Sequence, residues 1–319
     1  MIIRTTVIGS YPKVIENGSD NLPGTIDRWQ RQQVGDEALE QELQKVTRRA
    51  LREQEEAGLD LVSDGQIRWE DLAHPVVRSS TGIQRGPLRR FFDNNTYYRR
   101  LEHEGSVQWK KSSVVEEFRQ ASGWTKKPVK ATLPGPLTLV MATELREDQT
   151  AAQLLSQYAE LLRKEVEELE KAGAPVIQLE EPAWRSGEPL LKQGVEAVNQ
   201  IFKGIKAKRW LAFYFQDLTP LLPELAGFKE VDLIALDLVS GPGLVNRLKD
   251  LKWAGEIALG VVDARNTKLE DPQELKLLIQ KATQAIPADR LWLAPNCSLE
   301  FLPHEAAVKK IKLLKAAAS

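Results

Sequence analysis

Eight short apolar runs constrain this chain more than any other feature of it. Each ends in a polar or glycine–proline turn, and nearly all lead into a helix-compatible segment. They are Ile2–Ile8, Leu59–Val62, Val129–Leu133, Val176–Leu179, Trp210–Phe215, Leu233–Leu236, Ile257–Val262 and Leu291–Leu293. Near-continuous apolar strands are buried on both faces, the condition of a parallel sheet covered by helices. Eight strand–helix units predict a closed (β/α)8 TIM-type barrel rather than an open doubly wound sheet. No GxGxxG or P-loop glycine pattern follows any run, which argues against dinucleotide and nucleotide folds.

The spacing predicts helices over about 36–57, with Gly58 at the cap position, and about 150–172, closed by Gly173. In the second, Leu154, Tyr158, Leu162, Val166 and Leu169 form one apolar face. The charge-rich segment from about 79 to 127 fits no simple unit. Its alternating stretches, Thr96–Leu101 and Gly105–Lys110, predict a hairpin inserted after the second strand. No linker interrupts the chain, so residues 1–319 are expected to form one barrel domain. A hydrophobic share of 42% supports a large core, and 44 basic against 45 acidic side chains leave a net charge of −1. That balance lacks the basic footprint of nucleic-acid or membrane-surface binding. The amino terminus has no basic region followed by a long apolar segment, and a single cysteine suits a reducing compartment. A cytoplasmic location is expected.

In such a barrel the chemistry sits at the carboxyl ends of the strands. Those ends read Ser10, Asp64 and Gln66, Gly135, Glu180 and Glu181, Gln216 and Asp217, Asp237, Asp263, then Asn296 and Cys297. Converging carboxylates suit an ammonium group, a metal ion or acid–base work. Taken singly, each is also what a loop cap looks like. Pro182 fixes the turn that aims Glu180 and Glu181. Gly135, between Pro134 and Pro136, allows close backbone approach to a ligand. Of the three histidines, His74 alone lies near the strand-end face. Cys297 reads either as a small apolar filler or as a reactive thiol.

In this order the motifs resemble the carboxyl-terminal catalytic domain of cobalamin-independent methionine synthase. They are Thr6–Pro12, Leu61–Gln66, Leu133–Pro136, Ile177–Ala183, Gly260–Asp263 and Leu293–Leu299. The large amino-terminal half of the long enzymes has no counterpart here, so the chain is similar to the short core methionine synthases. The resemblance implies a TIM-type barrel and methyl transfer to homocysteine or a related small thiol. It implies that Ile8, Gly9 and Ser10 contact the amino acid, with Gln66 and Glu180 at its amino group. Asp64, Glu181 and Asn296 complete the expected binding set, and Glu180, Asp237 and Cys297 the catalytic one.

The family holds zinc with a His-x-Cys pair, a Glu and a Cys. Here Asp237 and Cys297 stand at the last two positions, while Ala212 and Tyr214 replace the pair. Zinc would therefore rest on an incomplete set, with Tyr214 or His74 as the available additions. The loop after Pro136 lacks the tryptophan on which long enzymes stack folate. A methylcorrinoid, free or on a partner corrinoid protein, is the expected donor. The alternatives are a zinc-free barrel enzyme using its carboxylates on another small molecule, and a non-catalytic protein binding an amino acid or corrinoid protein.

Overall fold

The computed structural model describes residues 3–15, 21–91 and 96–318. Ile2, where the first apolar run begins, lies outside them. Among the described residues ten strands follow in chain order: β1 (Arg4–Thr5), β2 (Ser80–Phe91), β3 (Thr96–Trp109), β4 (Lys130–Pro134), β5 (Thr143–Glu144), β6 (Val176–Glu180), β7 (Lys208–Ala212), β8 (Leu233–Asp237), β9 (Glu256–Val262) and β10 (Leu291–Pro295). Seven form one parallel sheet in the order β1-β10-β9-β8-β7-β6-β4. The second apolar run closes this curled sheet without becoming a strand. Asp60 and Leu61 donate their N–H groups to Thr5 O, Val62 donates to Pro128 O, and Lys130 donates back to Val62 O. The result is the TIM-like α/β fold expected from the eight runs.

Helices 36–56 and 151–171 match the apolar periodicities that predicted them, with Gly58 and Gly173 at positive φ just beyond. Thr150 and Gln153 form a reciprocal capping box at the start of the second helix, a feature worth about 1 kcal/mol. Leu154, Tyr158, Leu162, Val166 and Leu169 are fully buried along its inner face. Each contributes roughly 1.5–3 kcal/mol by leaving water. The insertion is the antiparallel hairpin β2–β3, with β5 added parallel to β3. Residues 115–123, within the segment first assigned to the insertion, form a helix. The fifth run is longer than its strand: β7 ends at Ala212. Phe213, Tyr214 and Phe215 therefore lie past the strand, on the face where strand ends converge.

Candidate active site

A cleft of about 310 Å³ opens on that face. Ser10 and Ser298 come from the loops after β1 and β10, Gln66 from the turn after residues 59–62, and Tyr214 and Phe215 from the end of β7. Trp69, Phe301 and the hairpin residues Tyr97 and Tyr98 give it largely aromatic walls. The acidic residues at its rim are paired: Lys13 with Glu300 at 2.9 Å, and Arg85 and Arg99 with Glu70.

Gln66 reaches the cleft because its turn is doubly left-handed, with φ of +73° at Gly65 and +52° at Gln66. The Asp64 carboxylate accepts from the Gln66 N–H at 3.0 Å, and Gln54 of helix 36–56 pins Ser63 through both its N–H and its carbonyl. Only glycine fits at position 65, where a Cβ would lie 2.8 Å from the Tyr11 side chain. Asp64 is thus occupied with its own turn. Burial, then the nearby Glu117 charge, pushes its carboxyl up to about 6.

Beneath the floor lies Glu180, fully buried. Its Oε1 accepts from Gln66 Nε2 at 2.9 Å and Gln178 Nε2 at 3.0 Å, and its Oε2 accepts from the Tyr214 hydroxyl at 2.9 Å. The Gly9 N–H adds a further bond. Lys130, on the neighbouring strand, donates to Val7 O at 2.5 Å and Gln178 Oε1 at 2.8 Å. Burial raises the Glu180 carboxyl above its usual range, against the pull of Tyr214 and Lys130. Burial likewise lowers Lys130 to about 7, with Glu180 opposing. Gly9 sits at φ +66°, and a Cβ there would meet Ser298 Oγ at 2.1 Å. That approach lets Ser298 Oγ accept from the Ser10 N–H at 3.1 Å. Ile8 is buried beside them. Ser10, Gln66, Glu180 and Tyr214 are therefore brought together.

Asp237, Asn296 and Cys297 form a separate cluster that does not line the cleft. Asp237 Oδ1 accepts from the N–H groups of Val239 and Ser240, and Oδ2 accepts from the Phe215 N–H and the Ser240 hydroxyl. Asn296 Nδ2 donates to both oxygens at 3.2 Å, and Cys297 Sγ donates to Asn296 Oδ1 at 3.5 Å. Burial, then the Asp237 charge, holds the Cys297 thiol well above its ordinary pKa, so it stays protonated. Zinc binding takes a thiolate and carboxylate lone pairs free to face the ion. Here the lone pairs of Asp237 are committed to backbone and side-chain donors, and Tyr214 is committed to Glu180. Among the described residues no three His, Cys, Asp or Glu side chains converge as a metal requires. The donor set does not fit zinc.

Two further expectations change on the structure. Glu181 accepts from Leu137 N at 2.9 Å, Thr138 N at 2.8 Å and Thr138 Oγ1 at 2.6 Å, which caps helix 136–142. Gly135 admits this carboxylate rather than a ligand, since a Cβ there would lie 2.1 Å from Glu181 Cδ. His74 Nδ1 accepts from the Glu70 N–H at 2.9 Å, so it braces the loop that supplies Glu70, Asp71 and Leu72 to the cleft and does not line the cleft itself. Sequence reasoning passed over Lys130, Gln178, Phe215 and the aromatic walls. Lys130 and Gln178 carried a readable signal, each a polar residue inside an apolar run.

A curled parallel sheet with an aromatic-walled cleft at its carboxyl ends defines the class: a (β/α)8-type barrel. The family model described as "Cobalamin-independent synthase, Catalytic domain" matches residues 3–319, and the chain belongs to that family. It is 28% identical over 313 residues to a methionine synthase of Sulfolobus acidocaldarius, covering 97% of this chain and 89% of that protein. It is also 28% identical over 335 residues to the 5-methyltetrahydropteroyltriglutamate–homocysteine methyltransferase of Bacillus licheniformis, covering 99% of this chain but 42% of that one. In fold it is similar to a B12-independent methionine synthase from Shewanella sp. W3-18-1, with a TM-score of 0.86, 22% identity, and 100% and 97% of the two chains covered. The chain is a methyltransferase domain of the methionine synthase type. A cobalamin-independent family gives no support to the corrinoid donor or corrinoid-protein partner expected from the sequence. No helix among the described residues is long and apolar enough to cross a membrane.

Proposed function

We propose that this chain transfers a methyl group from a methyltetrahydropteroylglutamate to the sulfur of homocysteine or a closely related amino thiol. The observation that carries this reading is the buried Glu180 carboxylate held by Gln66 and Tyr214 under the cleft floor. A negative charge behind neutral donors suits the ammonium group of an amino acid. Ser10 and Ser298 supply polar edges for its carboxylate. The sulfur attacks the methyl carbon, the bond from that carbon to the donor nitrogen breaks, the thiol proton passes to a base and the donor nitrogen takes up a proton. Burial raises the Glu180 carboxyl, and the paired ammonium group would favour its ionised form. One domain spanning residues 1–319 and a cytoplasmic location complete the reading.

Methionine formation from homocysteine and 5-methyltetrahydropteroyltriglutamate, followed by mass spectrometry, tests it, with methylcobalamin as the competing donor. No methionine with the pteridine donor sinks the proposal. The saturated Asp237 and protonated Cys297 favour one second reading, a zinc-free barrel enzyme using Glu180 for acid–base work on another small molecule. Activity towards a different substrate, lost in Glu180→Gln and untouched by chelators, would favour it.

A further inference from the structure

Phe215 has a φ of +74°. Bulky side chains rarely enter this left-handed region, and residues held there cluster at functional sites. What holds it is visible: its N–H donates to Asp237 Oδ2 at 3.0 Å. Val239, Ser240 and Asn296 lock that carboxylate in turn. The strained backbone places the Phe215 ring in the cleft wall. There it stands perpendicular to Tyr214 with centroids 4.7 Å apart, and tilted against Phe301 at 5.8 Å.

We propose that Phe215 is a specificity-determining residue, the wall on which the flat heteroaromatic ring of the methyl donor stacks, and that Asp237 is the positioning residue that aims it. The charge pattern of the cleft points the same way. Its carboxylates at Glu70, Asp71 and Glu300 face Arg85, Arg99 and Lys13. Trp69 and Tyr98 extend the aromatic surface. The Arg265 guanidinium lies 5.5 Å from the Phe215 ring centroid, so one side of the ring carries a cation, and the aromatic wall takes up a π-face on its open side. Asp237 thereby has a task other than metal binding, because its Oδ2 holds the Phe215 N–H. This inference rests on the pteridine donor proposed above.

The test is binding of 5-methyltetrahydropteroyltriglutamate to the full chain by calorimetry, with steady-state KM values for both substrates. Phe215→Leu keeps bulk and removes the flat face, and should weaken donor binding about tenfold or more. Phe215→Tyr keeps the ring and should stay within about threefold of wild type. Asp237→Ala should weaken donor binding as Phe215→Leu does, with partial rescue in Asp237→Asn, which retains an acceptor for the Phe215 N–H. The KM for homocysteine should not move in any of the four; a merely structural role would raise both KM values together and overturn the inference. Wild type that binds no pteridine overturns the donor assignment and the inference together. Wild type that binds it while Phe215→Leu binds equally well overturns the inference alone.

Discussion

The Tyr214 hydroxyl donates to Glu180 Oε2 at 2.9 Å, and both partners are buried. Tyr214 stands where the family pattern has a metal-binding cysteine, yet it serves a carboxylate instead. Tyr214→Phe should remove one donor from a buried charge and cost about 1–3 kcal/mol of stability. Its loss also makes the ionised form of Glu180 harder to hold, so the KM for the amino acid should rise. Urea unfolding with an unchanged m-value, together with steady-state kinetics, checks both effects. A variant as stable and as active as wild type would show that this bond carries neither role.

A second expectation concerns metal. With Asp237 saturated, Cys297 protonated against Asn296 and Ala212 unable to ligate, purified chain dialysed against zinc should retain well below one equivalent. Chelators should leave its melting temperature unchanged. Cys297→Ser should match wild type in metal content. One zinc per chain, lost in Cys297→Ser, would refute this.

The barrel was legible in the sequence because burial on both faces writes continuous apolar runs, and helices 36–56 and 151–171 because their inner faces repeat at helical spacing. The second barrel position was over-read as a strand. Leu59–Val62 is apolar enough to be buried, but it only bridges Thr5 and Pro128. Glu180 stood out because it follows an apolar run directly, and Gln66 because it ends the short turn after another. Glu181 and Gly135 have the same sequence context, and nothing local says that a carboxylate will cap a helix 44 residues away. Phe215 read as the end of a strand, and its left-handed backbone depends on Asp237, 22 residues on. Such pairings arise from barrel closure and leave no local pattern.

Gly135→Ala should therefore be among the most damaging single changes outside the cleft. The added methyl would fall 2.1 Å from Glu181 Cδ and 2.5 Å from its Oε1, both in a fully buried side chain. Displacing Glu181 would strip helix 136–142 of the acceptor shared by Leu137 N and Thr138 N. Overpacking and the loss of charge-assisted bonds together suggest roughly 2–4 kcal/mol. Thermal unfolding measures it, and a variant within about 0.5 kcal/mol of wild type would contradict it. Glu181→Ala in the Gly135→Ala background should restore part of the loss, because it removes the clash while the cap stays absent.

The last expectation is a pH dependence at His74. Burial, then Arg78 and Arg85, pushes its imidazole down to about 4, and the Glu70 N–H uses the lone pair that protonation would remove. The unfolded chain, with an ordinary imidazole near 6.5, binds the proton more readily than the folded one. Between about pH 6.5 and 4 the unfolded state therefore holds more protons, so stability falls as pH falls through that window and is level with respect to this group above it. With allowance for partial exposure the effect is on the order of 2 kcal/mol. His74→Asn, whose side-chain oxygen can accept the same N–H, should flatten the stability profile between about pH 4 and 6.5. Because the braced loop carries Glu70, Asp71 and Leu72 into the cleft, donor binding should weaken over the same range in wild type and less so in the variant. Unfolding free energies for both proteins across pH 4–8, with calorimetric binding at each pH, decide the matter; parallel profiles would remove His74 as the origin.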